Sequence, residues 1–397
     1  MQELGPYQKR GGTATLCDST RCPEPCVPSS NCSDPSAKLA GMILGLLLGI
    51  SLAASPASFA DVPLNPKAVI SRVALGSCAD QDKPQPIWDA VLATKPQAFL
   101  FLGDNVYSSD PARMDDRAQY AKLAAQPGFQ KLRSSVPLMV TWDDNDYGMN
   151  DGGVDYTDRR ARQVVFNDFW QVPAGDPRRQ RDGVYTSAIA GPIGRRIQFI
   201  VLDTRSFRTA LTPKAKDDPR VGRYIPSRDP RQSMLGEDQW QWLEGELKQP
   251  ADLRILISSI QVVPEDHLWE KWQNMPLERR RLFSLIRDTK ATGVVFVSGD
   301  RHLAEISMMD GSVGYPLYDL TASALTQSWL DWRMQEPNRH RVGTMNFGNN
   351  FGLIEVDWDA TDPIVRLQLR DEANDVILQQ KLRLSWLRPG RITPKSP

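Results

Sequence analysis

The sequence predicts an α/β protein that ends in antiparallel strands, and three observations support this fold class. From Val69 onward, apolar runs of strand length alternate with helical patterns. Most of these runs are apolar throughout, which is typical of strands buried on both faces of a sheet. Near the end of the chain, apolar and polar residues alternate instead, as in antiparallel strands with one exposed face.

The predicted elements follow in chain order. Six buried strands are predicted at residues 73–75, 98–102, 138–140, 197–202, 253–260 and 294–297. Four helices are predicted at residues 86–94, 158–170, 237–248 and 277–290. Three antiparallel strands are predicted at residues 351–357, 364–370 and 376–384. Residues 205–233 are rich in Pro, Arg and Asp, so we expect a long surface loop there. No linker divides residues 61–397, so we expect them to form a single domain.

The composition restricts the possible functions. The 397 residues include 48 basic and 48 acidic side chains, without the basic excess expected of a nucleic-acid-binding surface. Only three histidines are present, His267, His302 and His340, so a metal site must consist mainly of oxygen, or of oxygen and sulfur. A serine hydrolase and a P-loop nucleotidase are disfavoured, because neither of their glycine-containing motifs is found.

The first sixty residues contain the pattern of an export signal. Lys38 precedes an apolar run over residues 39–54, followed by Ser55-Pro56 and the small-residue cleavage site Ala57-Ser58-Phe59-Ala60. We expect residues 38–60 to be a signal peptide cleaved after Ala60, and residues 1–37 to be a disordered extension. A transmembrane anchor is the alternative, but a span needs about 20 apolar residues, more than this run supplies. The mature protein would be periplasmic or secreted, with membrane contact only through the signal segment.

Cysteine usage singles out Cys78. Cys17, Cys22, Cys26 and Cys32 precede the predicted cleavage site and form either a small metal-binding knuckle or part of a discarded segment. After cleavage Cys78 has no partner in the chain, although exported proteins usually pair their cysteines. Cys78 is therefore either a small buried residue or a metal ligand.

Polar residues follow one predicted strand after another. They are Cys78, Asp104, Asp144, Asp300 and His302. Ligands of α/β proteins gather at the carboxyl ends of strands, although a single Asp there is often only a helix cap. Several carboxylates packed together raise one another's pKa, and a bound polyvalent cation removes that cost. Carboxylates suit calcium, magnesium or manganese, whereas a thiolate, a tyrosinate and an imidazole suit iron, so a mixed site with two metals is indicated.

Four ordered motifs carry a resemblance to a known family. They are Gly76-Ser77-Cys78, Gly103-Asp104-Asn105-Val106-Tyr107, Trp142-Asp143-Asp144-Asn145-Asp146-Tyr147-Gly148 and Ser298-Gly299-Asp300-Arg301-His302. From about Ser71 to Trp332, the chain resembles the PhoD-type alkaline phosphatases (alkaline phosphatase D), a branch of the calcineurin-like metallophosphoesterases. The resemblance implies a sandwich of two central mixed sheets flanked by helices. It also implies an exported hydrolase of small phosphate monoesters or diesters that contains iron and calcium.

The resemblance assigns a role to each predicted ligand. It implies that the iron is held by Cys78, Tyr107 and His302. It implies that Asp104 bridges the two metals and that Asp144 and Asp300 hold the calcium. Manganese or zinc could replace either metal.

Asn145 departs from the family pattern, which has a histidine at this position of the third motif. In the wider superfamily that histidine faces the leaving group and is the candidate general acid. An amide cannot protonate a leaving oxygen at neutral pH, although it can donate a hydrogen bond to phosphoryl charge. General acid catalysis contributes about 10²–10⁴-fold, so poor leaving groups should be cleaved slowly unless another acid acts.

The remaining candidates are less specific. Arg301 joins Asp104 and Asn145 as a catalytic candidate, because it could reach phosphate or pair with a ligand. Contacts with the ligands or the substrate are expected for Asp143, Asp146, Arg205, Gln261 and His267.

Two other functions remain open. A phosphodiesterase or phospholipase acting on lipid headgroups or nucleotides would use the same metals, with Arg159, Arg160 and residues 205–231 selecting the substrate. A metal-binding protein with weakened catalysis would explain Asn145.

The predicted export signal has a direct test. Intact-mass measurement of the native protein from its producing cell should give an amino terminus at Asp61, because processing removes the segment that ends at Ala60. Retention of the apolar run at residues 39–54 in a soluble cytoplasmic product would contradict the prediction.

Overall fold

Strands that are apolar on both faces make up the centre of the structure. The computed structural model describes residues 62–108, 116–329, 336–345 and 348–390, all within one compact unit, Ala57–Pro397. The predicted signal peptide, the extension before it and its four cysteines lie outside these ranges. Within them, no helix is long and apolar enough to cross a membrane.

The strands form two mixed sheets. Their bounds are β1 Arg72–Gly76, β2 Ala98–Leu102, β3 Leu138–Thr141, β4 Thr186–Ala190, β5 Ile197–Val201, β6 Leu253–Ile257, β7 Val294–Ser298, β8 Ala304–Met309, β9 Leu317–Ala322, β10 Arg341–Met345, β11 Asn350–Asp357, β12 Ile364–Asp371 and β13 Val376–Arg383. The first sheet has the order β13-β12-β11-β1-β2-β3, and the second has the order β10-β8-β9-β7-β6-β5-β4. β1, β2 and β3 are parallel, as are β5, β6, β7 and β9, so the carboxyl ends of each set point the same way.

Helices cover the outer faces of both sheets. Their bounds are α1 Ile87–Ala93, α2 Asp116–Ala125, α3 Pro127–Ser135, α4 Asp144–Tyr147, α5 Arg159–Phe169, α6 Gly236–Leu247 and α7 Pro276–Asp288. In β2, alternate residues face opposite ways. Leu100 packs in the core between the sheets, whereas Phe101 contacts Trp88 of α1, with ring centroids 5.8 Å apart. Burial on both faces explains why these strands are apolar throughout.

The predicted fold class is confirmed, and every predicted strand and helix is present within a few residues of its expected bounds. The prediction omitted several short elements, among them β4, β8 and β9. β9 contains the buried Asp319, whose carboxylate accepts hydrogen bonds from Ser298 Oγ at 2.7 Å and from the backbone of Val262 at 2.7 Å. These tertiary partners stabilise an acidic residue within a strand that local sequence does not favour.

The expected surface loop at residues 205–233 is wrong at its beginning. Arg205, Ser206 and Arg208 are buried, because their polar groups are satisfied inside the protein by hydrogen bonds and ion pairs. Arginine can be buried where carboxylates compensate its charge.

Candidate metal centre

The polar residues that follow the strands of both sheets meet at one place. Cys78 follows β1, Asp104 follows β2 and Asp144 begins α4 after β3, whereas Asp300 and His302 follow β7 of the other sheet. The ligand atoms of Cys78, Asp104 and His302 lie within 4.8 Å of one another. Those of Asp104, Asp143 and Asp144 form a second such group. Asp104 therefore belongs to both groups, which is the position that a bridging carboxylate requires.

Tyr107 completes the first group. Its hydroxyl donates to Asp104 Oδ2 at 3.0 Å and lies 3.3 Å from His302 Nε2. Cys78 Sγ lies 3.7 Å from the same Asp104 oxygen. The three side chains assigned to iron by the resemblance are thus in mutual contact around one carboxylate.

Ser323, which follows β9, joins two of these ligands and was missed by the sequence analysis. Its hydroxyl oxygen accepts a hydrogen bond from the His302 backbone at 2.9 Å and lies 3.2 Å from Cys78 Sγ. Because the oxygen already accepts from the backbone, its own proton is available to the sulfur. No signal in the sequence pointed to Ser323, since β9 itself was not predicted.

The backbone of the site is strained. Cys78, Asp104, Asp300 and His302 have φ values of +62°, +52°, +69° and +54°, in the left-handed region. Non-glycine residues there cost about 1–3 kcal/mol each when they lie in sparsely populated conformations, and such residues cluster at functional sites. The close approach of the strand ends also requires glycine before Asp104, because a Cβ on Gly103 would lie 2.5 Å from Asp143 Cβ.

The pKa values of the predicted ligand side chains favour a bound cation. Burial, reinforced by the charge of Asp144, raises the pKa of Asp104 well above its usual range. Burial and the charge of Asp104 likewise raise the pKa of Cys78 and of Tyr107. Burial, with Arg301 nearby, lowers the pKa of His302 to about 4, so its imidazole is neutral near pH 7 and can ligate a metal. A polyvalent cation would stabilise the anionic forms of the acidic groups, so this donor set fits a metal site.

A cavity of about 340 Å³ opens onto the site. Asp104, Asp144, Asp300 and His302 line it, and so does Asn145. The Asn145 backbone donates to Asp104 Oδ1 at 3.1 Å, and its side-chain nitrogen donates to Asp144 Oδ1 at 3.1 Å. Asn145 is therefore held against two predicted ligands and faces the space in which a substrate would bind.

Comparison with known proteins identifies the family. The PhoD-like phosphatase model matches residues 73–327. The chain belongs to the PhoD-like phosphatase family. Alkaline phosphatase D of Bacillus subtilis (strain 168) is 23% identical in an alignment of length 248, which covers 54% of this chain and 40% of that protein. The chain thus spans less than half the length of this relative.

Solved structures share the fold of this PhoD-like chain. The structure of PhoD has a TM-score of 0.62 at 17% identity, covering 84% of this chain and 73% of that one. A dimetal phosphatase from Danio rerio has a TM-score of 0.50 at 12% identity, covering 80% of this chain and all 100% of that one. These likenesses confirm the predicted sandwich of two mixed sheets.

Arg205 of the PhoD-like chain, expected to contact the substrate or the ligands, is a fully buried counter-ion that reaches the second ligand group through Asp143. Its Nε donates to Asp143 Oδ1 at 2.6 Å and its Nη1 lies 2.7 Å from Glu270 Oε2. Arg208 pairs with the other Glu270 oxygen at 3.0 Å. Although burial lowers the pKa of Arg205, Asp143 and Glu270 hold it above its usual value. Neither Glu270 nor Arg208 lies in a recognisable sequence motif, so the sequence did not predict that they belong to this buried network.

Asp143 and Asp146 have different roles. Asp143 Oδ1 also accepts from Ser259 Oγ at 2.5 Å, while its buried Oδ2 has no hydrogen-bond partner in the described part of the chain. Asp146 instead caps α4 by accepting from the Asp143 backbone at 2.7 Å, and it binds Asn105. Burial raises the pKa of Asp146 to about 7. Asp146 therefore stabilises its own motif, Trp142–Gly148, and does not line the cavity.

Gln261 and His267 do not line the cavity at the metal site. Gln261 Nε2 donates to Glu305 Oε1 at 2.7 Å, so its Oε1 is left to accept from His267 Nε2 at 2.9 Å. His267 Nδ1 then accepts from the Trp269 backbone at 3.2 Å. Burial, with Lys271 nearby, lowers the pKa of His267 well below its usual value, consistent with a neutral ring. The pair positions Trp269 and does not line the cavity.

Arg301 lines the cavity, as expected of a residue between two ligands. Its Nη2 donates to both carboxylate oxygens of Glu336 at 2.7 Å. Arg301 thus pairs with a carboxylate, and its partner is Glu336 rather than a predicted ligand.

Removal of the buried Arg205 charge should destabilise the protein. Arg205→Met leaves Asp143 and Glu270 buried without this counter-ion, and breaking such a pair costs about 3–5 kcal/mol. The free energy of unfolding should be measured by urea denaturation in the presence of a chelator. Arg220→Met is the matched control, since Arg220 pairs with Asp218 on the surface. A loss for Arg205→Met no larger than that of the control would show that the buried network is not stabilising.

Cys78 should bind metal as a thiolate. Cys78→Ser should reduce the metal content of the purified protein, measured by elemental analysis, while circular dichroism stays native, because a hydroxyl is a weaker ligand than a thiolate. Ala79→Ser places the same side chain at the adjacent buried position and should retain the metal. Unchanged metal content with reduced stability in Cys78→Ser would assign Cys78 to packing alone.

Proposed function

We propose that this chain is a metal-dependent hydrolase of phosphoric esters, of the alkaline phosphatase D type. The observation that carries the proposal is the shared Asp104, whose carboxylate belongs to two adjacent groups of ligand atoms. Membership of the PhoD-like phosphatase family supports the same chemistry. A binuclear centre bridged by a carboxylate is suited to displacement at phosphorus.

The two ligand groups differ in chemistry. Cys78, Tyr107 and His302 would hold iron, because thiolate, phenolate and imidazole are donors that suit it. Asp144 and Asp300 would hold calcium, a hard cation that prefers carboxylate oxygens. Manganese or zinc would be tolerated in place of either. When bound, the two metals would supply a Lewis acid for the phosphoryl oxygen and lower the pKa of a water nucleophile.

The side chains around the proposed metals would determine how the phosphoryl oxygen is hydrogen-bonded and whether the leaving group is protonated. Asn145 has one amide hydrogen directed at Asp144, which leaves the second available to a phosphoryl oxygen. His302 is the only histidine in the described lining of the cavity, and its pKa of about 4 makes it a poor proton donor near pH 7. With His302 assigned to the metal, no histidine of the described cavity wall remains to protonate the leaving group.

Export and substrate class belong to the same proposal. The signal pattern at residues 38–60 supports a periplasmic or secreted enzyme acting on small phosphate monoesters or diesters. Lipid headgroup or nucleotide diesters are the second candidate, and Arg223, from the segment expected to select such substrates, lines the cavity while its charge is paired with Asp151. Arg159 gives no such support, since it donates to the backbone of Val154 and Tyr156. Neither does Arg160, which donates to Gln163 and to backbone carbonyls.

The remaining alternative is a metal-binding protein with weakened catalysis. Asn145 is the residue that would explain it, because an amide cannot protonate a leaving group.

The dependence of rate on the leaving group tests the position of Asn145. The wild type should show a steep fall in rate as the pKa of the leaving alcohol rises, because proton donation is missing. Asn145→His should accelerate alkyl esters by about 10- to 100-fold, within the general-acid range, and leave nitrophenyl esters nearly unchanged. Rates are to be measured over a series of aryl and alkyl esters, both monoesters and diesters, with and without chelator.

Asp104→Asn is the matched comparison for that series. It should abolish hydrolysis of every ester alike, because it removes the carboxylate common to both ligand groups. Equal acceleration of aryl and alkyl esters by Asn145→His, or none, would mean that this position does not face the leaving group. Hydrolysis that survives both Asp104→Asn and chelation would overturn the metal-dependent mechanism.

A further inference from the structure

Two tryptophans stand out in the wall of the cavity. The other residues of the described lining are polar or charged, and Trp269 and Trp329 are its only large apolar side chains. Among the described residues of the cavity wall, these two rings are therefore the apolar surface that could cover an apolar part of a substrate. The volume of about 340 Å³ falls in the range of small-molecule sites and leaves room for more than a phosphate.

Trp329 is attached to the metal site by its backbone. Its N–H donates to the carbonyl oxygen of His302 at 3.0 Å. Its side chain is nevertheless 38% exposed, whereas most large aromatic residues of this protein are buried. A partly exposed ring at the mouth of a polar site is a feature of recognition surfaces for planar groups.

Trp269 supports Trp329 from within the cavity wall. The two ring centroids lie 6.0 Å apart with an interplanar angle of 78°, an edge-to-face arrangement. The Trp269 backbone is held by His267, so the pair has a defined position before any ligand binds. Preorganised aromatic rings bind with little loss of conformational entropy.

Two arginines stabilise Trp269 rather than offering free charge. The guanidinium carbons of Arg301 and Arg223 lie 5.5 Å and 5.9 Å from the Trp269 ring centroid. Arg301 is paired with Glu336, and Arg223 is paired with Asp151 at 2.9 Å. Because carboxylates already compensate both cations, the cavity wall beside the metal ligands offers aromatic surface rather than a second phosphate clamp.

We propose that Trp329, supported by Trp269, is a subsite for a planar aromatic substituent of the phosphate ester. The inference rests on the proposed function, since it places the phosphoryl group at Asp104 and Asp144. The recognised chemistry is a flat π-system carried by the phosphate, and it has two sources, an aryl group or a nucleobase. Stacking on tryptophan does not distinguish them, because every such ring presents a π-face.

Binding of matched ligands that are not hydrolysed tests the subsite. Titration calorimetry on the protein purified with its metals should compare phenylphosphonate with cyclohexylphosphonate, which differ in planarity but little in size. We expect phenylphosphonate to bind about 2- to 10-fold more tightly, the increment of aromatic pairing beyond area burial. The 5′-methylenephosphonate analogues of adenosine 5′-monophosphate and of ribose 5-phosphate, which contain no phosphate ester bond, give the corresponding ratio for a nucleobase. A larger ratio in this second pair assigns the nucleobase as the source, and a larger ratio in the first assigns the aryl group.

Three variants attribute the preference to the ring. Trp329→Leu should bring the preferred ratio close to one, and Trp329→Phe should retain part of it. Trp242→Leu is the control, because Trp242 packs on Tyr185 with centroids 4.8 Å apart and does not line the cavity. A ratio near one for both pairs in the wild type, or a preference that survives Trp329→Leu, would overturn the subsite.

The same preparations separate this inference from the proposed function. Hydrolysis of nitrophenyl esters without any aromatic preference in binding overturns the subsite and leaves the hydrolase intact. Absence of hydrolysis of any ester by the metal-containing protein overturns the proposed function, while the binding ratios still decide the subsite.

Discussion

Repulsion among carboxylates that are held together away from water is the constraint on which the rest of the site depends. Burial, reinforced by the charges of neighbouring carboxylates, raises the pKa of Asp104, Asp143 and Asp300 well above the usual range. On one side, the buried Arg205 compensates this charge through Asp143 and Glu270. On the cavity side the carboxylates face open space. The interior carboxylates of the cluster are therefore compensated by an arginine, whereas the carboxylates that face the cavity are positioned to bind cations.

The sandwich architecture determines where this cluster forms. Parallel strands of both sheets direct their carboxyl ends to the same side, so the loops after β1, β2, β3 and β7 approach one another. Their approach is close enough to require Gly103 and to hold four predicted ligand residues in the left-handed region. Such strain persists only because the apolar strands beneath are buried on both faces and resist displacement. The rigid core thus maintains a ligand geometry that the loops alone would not adopt.

Residues outside the ligand set give this member of the family its individual character. Asn145 stands where the resemblance implies a histidine, and its amide can donate a hydrogen bond but not a proton. Trp269 and Trp329 come from the segments after β6 and after β9, and both are held by backbone hydrogen bonds near the metal site. In the proposed function, the ligands would determine the class of reaction, while the surrounding loops would determine which esters enter the cavity and which leaving groups depart.

The α/β fold class, the order of the long buried strands and the polar residues that follow them could be predicted from the sequence, because these features depend on local periodicity and chain position. The sequence also placed Cys78, Asp104 and His302 among the ligands, and the structure brings these three together. Only the tertiary structure decided the direction of each side chain. Gln261 and Arg205 both follow strands, yet Gln261 points to Glu305 and Arg205 is buried against Asp143. The site also includes residues from loops that have no hydrophobic periodicity, namely Ser323, Glu270 and Trp329. Packing between the two sheets, not local sequence, brings those loops to the predicted metal ligands.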